Sequence, residues 1–211
     1  MQSKKKWFYD ARLYLILDAQ VNSYTELIDI LKRSVESGIK IVQLRDKKGS
    51  AREILGFAQR AKEIINDKAL FIMNDRVDLA LISNASGVHV GQEDIPIKDA
   101  RLLLGAKKII GVSCQTKSQV KTAELQGADY IGFGSVFKTD TKPDRFPMDL
   151  DLLKDVSRSC GIPLYAIGGI RRTNVVGIKD IGVDRVAVCR DICCSKDVSG
   201  AVKFFQKVLC G

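Results

Sequence analysis

The chain has 211 residues, of which 45% are hydrophobic and 28% charged, the balance of a globular protein able to bury a full core. Its 34 Lys and Arg against 25 Asp and Glu leave a net charge of +9, which suits an anionic partner. No aromatic-rich basic stripe or nucleic-acid motif accompanies that charge, and no apolar stretch is long enough to cross a bilayer, so neither nucleic acid nor membrane is an expected partner.

At the N-terminus, Lys4, Lys5 and Lys6 run into Trp7-Phe8-Tyr9-Asp10 rather than into a long apolar segment. A signal peptide is therefore not expected and a cytoplasmic location is. Residues 1–12 read as an N-terminal extension. A short β-branched run follows, LYLILD at 13–18, then an amphipathic segment at 24–37. The same alternation continues with IKIVQLRD (39–46), an amphipathic stretch at 51–65, ALFIMND (69–75), GVHVGQ (87–92) and KIIGVSC (108–114). Further amphipathic segments at 117–126, 149–159 and 197–209 separate and follow YIGFGSVF (130–137), PLYAIGGI (163–170) and RVAVCRDI (185–192). Nearly continuous apolar strands predict a parallel sheet covered on both faces. Eight β-α units without a linker or a composition break predict an α/β fold, a (β/α)8 TIM barrel forming a single domain over 1–211. A doubly wound open sheet is the alternative.

The six cysteines form no C-x-x-C pair, and His89 is the one histidine, so there is no zinc-ligand pattern. The cysteines are expected to be small buried hydrophobes in a reducing compartment.

Polar residues collect where the strands end, the end at which such barrels carry their chemistry. The second strand ends in Gln43, Arg45, Asp46 and Lys47, and the third in Asn74-Asp75. The fourth runs to Gln92 and Asp94, the fifth ends at Ser113, the sixth runs into Thr139, Thr141 and Lys142, and the seventh ends at Gly168-Gly169. Asp75 and Asp94 come from neighbouring strands and could share a magnesium ion, which takes one or two carboxylates and fills its other positions with water and phosphate. The bland alternative is that Asp75 caps the next helix and Asp94 belongs to a turn. Arg45, Lys47 and Lys142 supply cations from separate loops, as a diphosphate would need. The glycine pair fits either a tight turn or a close approach of backbone to phosphate. His89 reads as a core or rim histidine.

Taken together, QLRDK (43–47), MND (73–75), GVHVGQED (87–94), GVS (111–113), TDTK (139–142) and AIGGI (166–170) resemble the thiamine phosphate synthase family over roughly residues 13–209. The resemblance implies condensation of 4-amino-5-hydroxymethyl-2-methylpyrimidine diphosphate with hydroxyethylthiazole phosphate. Thiamine phosphate forms and pyrophosphate leaves by a dissociative, Mg2+-assisted route. It also implies site residues: Asp75 and Asp94 for the metal, and Arg45, Lys47, Ser113 and Lys142 as catalytic groups. Gln43, Leu44, Asp46 and Asn74 would join them around the pyrimidine diphosphate. Thr139, Asp140, Thr141, Gly168, Gly169, Cys189 and Arg190 would meet the thiazole phosphate. The partners would be small phosphorylated molecules, and a homo-oligomer is left open.

Three positions depart from the family pattern: Gln115 where a histidine is common, Lys138 where a proline often precedes the first threonine, and Arg190-Asp191 in place of a serine-alanine pair. A thiazole tautomerase on the same barrel, or a phosphate-ligand sensor without turnover, is the rival expectation.

Overall fold

The computed structural model describes residues 8–139 and 146–211. Eight parallel strands pair in chain order and close on themselves: β1 (Leu13–Asp18), β2 (Ile41–Arg45), β3 (Leu70–Asn74), β4 (Gly87–Val90), β5 (Ile109–Cys114), β6 (Tyr130–Phe133), β7 (Leu164–Ile167) and β8 (Val186–Val188). Helices α1 (Tyr24–Glu36), α2 (Ala51–Ile65), α3 (Val77–Ile82), α4 (Ile97–Leu104), α5 (Lys117–Leu125), α6 (Leu150–Ser159), α7 (Val175–Asp180), α8 (Arg190–Cys193) and α9 (Val198–Cys210) lie between and after them. This is the expected (β/α)8 barrel. Among the described residues no helix is long and apolar enough to cross a membrane.

The strands are apolar on both faces because each face has its own core. Alternation sends Leu13, Leu15 and Leu17 of β1 outward, where they join Leu27, Ile30 and Leu31 of α1 in the layer between barrel and helices. Tyr14 and Ile16 point inward to a second cluster with Ile41, Leu70, Ile72, Ile109, Tyr130, Tyr165 and Ala187. Several helix starts are fixed locally: Ser23 with Glu26, Ser50 with Glu53 and Thr116 with Gln119 form reciprocal capping boxes.

Aromatic rings fill the lower half of the barrel. Phe8 stacks at 5.2 Å from Tyr130 and 6.1 Å from Tyr165, and Tyr14 lies 5.4 Å from Tyr165. Tyr165 donates to the Ala11 carbonyl at 2.8 Å, tying the entering chain across this end. Gly111 makes the arrangement possible, since a Cβ there would overlap the Tyr130 ring. With this end plugged, the open space lies at the C-terminal ends of the strands.

Two expectations are corrected. The eighth strand does not run to residue 192: its pairing stops at Leu15↔Val188 and Ile167↔Ala187, and Arg190–Cys193 turns into α8. Beyond Val188 the chain leaves the ladder although β1 runs on to Asp18: Cys189, at φ −114° and ψ −89°, turns it off the strand path, and the backbone closes helical bonds instead, Cys193 N to Cys189 O and Cys194 N to Arg190 O, both 2.9 Å. The cysteines are not uniformly buried either. Cys114 and Cys193 are, but Cys194 at the end of α8 and Cys210 at the end of α9 are exposed.

Candidate active site

A cleft opens at the C-terminal mouth of the barrel. Strands β2 to β5 contribute Gln43, Arg45, Asn74, His89 and Ser113. The opposite wall holds Thr139, Gly168, Gly169, Cys189 and Arg190, with Tyr14 and Tyr165 below. Alternation explains the first wall. Gln43 and Arg45 point inward two residues apart, and the register sets Ile16 beside Gln43, Asp18 beside Arg45 and Asn74 beside His89.

Arg45 is aimed by Asp18, whose Oδ2 accepts from its Nη1 at 2.7 Å. The Asp18 side chain is 1% exposed and that of Arg45 11%, so the pair is largely removed from water. The other Asp18 oxygen accepts from the Gln20 amide at 2.9 Å. Beside Arg45, Asn74 is buried and its Nδ2 has no hydrogen-bond partner among the described residues, although it faces the cleft. A buried amide donor without a partner is costly, and an acceptor on a bound ligand would satisfy it.

Next to the cleft, Lys47 forms an ion pair with Asp75. Asp75 does not cap α3: the N-cap is Arg76, and no side chain bonds there. Asp75 instead takes a left-handed turn, φ 59°, donates its amide to His89 O at 2.8 Å, and brings its carboxyl to that of Asp94. Burial pushes the Asp75 carboxyl above its ordinary value, and the Asp94 carboxylate pushes the same way against the pull of Lys47. Asp94 also serves the turn, accepting from the Gly91 amide at 2.6 Å. Two carboxylates crowded together favour a cation between them. The donor set is oxygen only, and among the described residues no group of three or more His, Cys, Asp or Glu converges. Such a site fits Mg2+, which completes its shell with water and phosphate, and does not fit zinc.

Not every expected residue meets the cleft. Leu44 points into the layer under the helices, 1% exposed. The Asp46 carboxylate accepts from the Tyr24 hydroxyl and from the amides of Lys48 and Gly49 at 2.8 and 2.7 Å. Both are one residue out of phase with Arg45, so their side chains leave the barrel interior. Asp140, Thr141 and Lys142 lie outside the described residues. The glycine pair is required by the protein itself: Gly168 and Gly169 have φ of 103° and 64°, and a Cβ on them would strike Ser135 and the Lys138 carbonyl. Sequence reading missed Ser135, Lys138 and Arg171 as cleft-lining residues. Arg171 directly follows AIGGI, and that adjacency is the one signal that pointed to it.

The family model described as thiamine monophosphate synthase matches residues 13–192. The chain belongs to this family. A thiamine-phosphate synthase of Shouchella clausii is 39% identical over 192 residues, covering 90% of this chain and 92% of the relative. One from Synechococcus sp. is 44% identical over 200 residues, covering 94% of this chain. The chain spans 57% of that relative's length and 58% of a Gloeobacter violaceus thiamine-phosphate synthase. The solved thiamine phosphate pyrophosphorylase from Pyrococcus furiosus superposes with a TM-score of 0.85 at 33% identity, covering 94% of this chain and 95% of that one.

Within this barrel the three departures sit in different surroundings. Gln115 is exposed beyond β5, its amide bound to Gln119 Oε1 at 2.7 Å, away from the cleft wall. Lys138 and Arg190 line the cleft and add positive charge to it. Asp191 is held by Arg172, whose Nε donates at 2.8 Å and whose amide donates at 3.2 Å.

Proposed function

We propose that this protein joins a pyrimidine bearing a diphosphate ester, 4-amino-5-hydroxymethyl-2-methylpyrimidine diphosphate, to hydroxyethylthiazole phosphate, giving thiamine phosphate and pyrophosphate. The observation that carries this reading is the meeting, on one rim, of cationic Arg45 and Lys47 with the Asp75–Asp94 carboxyl pair. That set suits a polyphosphate accompanied by a divalent cation.

In the reaction the bond between the exocyclic methylene carbon and the diphosphate oxygen breaks, and the thiazole nitrogen forms a new bond to that carbon. The departing group accumulates negative charge, so the barrier falls where fixed positive charge and donors already face it. Asp75 and Asp94 would hold Mg2+, which when bound neutralises charge on the diphosphate. Arg45, locked by Asp18, offers its remaining N–H groups to the phosphate oxygens without reorganising. Asn74 Nδ2 supplies a further donor. Gly168, Gly169, Lys138 and Arg190 form the wall on the far side, where the phosphate of the thiazole would sit.

No protein nucleophile is required. The cleft instead has to exclude water, which would capture the pyrimidine carbocation as an alcohol. The same reading makes the protein a cytoplasmic enzyme acting on small phosphorylated molecules.

The test is to supply purified protein with both substrates, with Mg2+ and then with chelator. Metal-dependent thiamine phosphate is the expected product. Binding of thiazole phosphate without any product would reject the reading in favour of a sensor or tautomerase on the same barrel.

A further inference from the structure

Across the middle of the barrel runs a chain of polar groups from five strands. Gln43 Nε2 donates to the Tyr14 hydroxyl at 2.7 Å, and the Tyr14 and Tyr130 hydroxyls lie 2.8 Å apart. Tyr130 reaches His89 Nδ1 at 3.0 Å, and His89 Nε2 reaches Ser113 Oγ at 2.9 Å. Gln43, His89 and Ser113 all line the cleft, while Tyr130 is fully buried beneath it.

Proton counting favours one direction for this chain. Each phenol has a single proton to donate. Burial raises both Tyr14 and Tyr130 well above the ordinary phenol value, so each keeps its proton. The Tyr14 oxygen accepts from the Gln43 amide, and Tyr130 is the acceptor within reach of its proton. With the Tyr14 proton on Tyr130, the Tyr130 proton finds its acceptor in His89 Nδ1. An imidazole accepting at Nδ1 carries its proton at Nε2 and donates it to Ser113 Oγ. Ser113, with its oxygen accepting from below, has its own proton left to present to the cleft.

From this geometry we infer that His89 and Tyr130 are positioning residues that turn the Ser113 hydroxyl into a fixed donor toward an acceptor atom of the diphosphate substrate. The inference rests on the function proposed above for its substrate and on the hydrogen-bond chain for its direction. It assigns a role to the one histidine of the sequence, which strand alternation alone places on the inner wall without a task. The relay moves no net charge. It sets which of two hydroxyl orientations Ser113 adopts before substrate arrives, so its loss should act on turnover more than on affinity.

The single histidine makes the direction measurable without an activity assay. In untagged protein labelled with 15N-histidine, long-range proton–nitrogen correlation reads the tautomer of His89 alone. The expected result is one neutral species with Nε2 protonated and Nδ1 bare. An Nδ1–H tautomer, an imidazolium or a mixture in the unaltered protein would overturn the inference, because the chain would then not run toward Ser113.

Tyr130→Phe keeps the ring and removes the proton. It should give mixed tautomers and lower kcat at least tenfold, with KM for both substrates within about twofold. Unchanged kcat in that variant would also overturn the inference. Should Tyr130→Phe fail to fold, the tautomer of the unaltered protein still decides. An unaltered protein that makes no thiamine phosphate would refute the proposed function, whereas the tautomer reports on the relay alone.

Discussion

Replacing Asp18 by alanine removes one half of a largely buried ion pair and leaves the Arg45 guanidinium facing β1 without its carboxylate. The Asp18 side chain is 1% exposed and the contact is 2.7 Å, so solvent screens the pair weakly. Truncating one partner of such a pair costs about 3–5 kcal/mol, most of it from the uncompensated charge left behind. Against a total stability of about 5–15 kcal/mol this is a large fraction. Urea unfolding of Asp18→Ala should therefore show a midpoint shift of that size with an unchanged slope. Removing both charges in Asp18→Ala/Arg45→Met should recover most of the stability, because no lone charge remains. It should not recover turnover, because the donors aimed at the diphosphate are gone. A loss below about 1 kcal/mol in the single variant, comparable to an exposed pair, would refute the claim that this contact is desolvated and preorganises Arg45.

The carboxyl pair gives a second expectation: Asp94→Asn should raise the Mg2+ concentration needed for half-maximal turnover by tenfold or more while leaving the unfolding midpoint within about 1 kcal/mol of wild type, and an unchanged Mg2+ titration would remove Asp94 from the metal site. Native alkylation at pH 8, followed by peptide mapping, should mark the exposed Cys194 and Cys210 and spare Cys114, whose buried thiol is pushed up to about 12. Rapid labelling of Cys114 would contradict its packing. For Asp46, burial alone would raise the carboxyl, but the Tyr24 hydroxyl, the Lys48 and Gly49 amides and the Arg45 charge outweigh it and hold it below the ordinary 3.8. A depressed carboxyl contributes stability that is present above its unfolded value and lost as pH falls through the folded one. The stability gap between wild type and Tyr24→Phe should thus be full at pH 7 and close below about pH 4. A gap that stays constant down to pH 3 would show that the Tyr24 contact is not to the ionised form.

Much of this was legible from residue order because both faces of each strand are covered. LYLILD reads as a strand whichever face is considered, and β1 begins and ends where expected. The rim was legible for a related reason: a polar residue at the end of an apolar strand has nowhere else to go. Strand ends were harder to place. RVAVCRDI keeps its alternation past Val188, but the ladder stops there because Cys189, at φ −114° and ψ −89°, turns the chain into α8 even though β1 runs on to Asp18.

Alternation could have separated Arg45 from Leu44 and Asp46, yet a motif read as a block treats all three alike. What periodicity cannot supply is the identity of a partner across the barrel. Tyr14 and Tyr130 are 116 residues apart and meet because β1 and β6 face each other inside a closed sheet. Asp18 beside Arg45 is instead a register contact between neighbouring strands, and the sequence presents it only as the last residue of a strand. The orphaned Asn74 donor is likewise a property of the assembled wall and not of MND as a motif.

The most direct test of the central claim is phosphorus NMR of one reaction containing protein, Mg2+ and both phosphorylated substrates. The account predicts that the diphosphate-ester signals vanish as pyrophosphate and thiamine phosphate appear in equal amounts, with no pyrophosphate when the thiazole is omitted. Pyrophosphate released at the same rate without the thiazole would show a hydrolase, and no release in either mixture would show that this cleft binds phosphates without joining them.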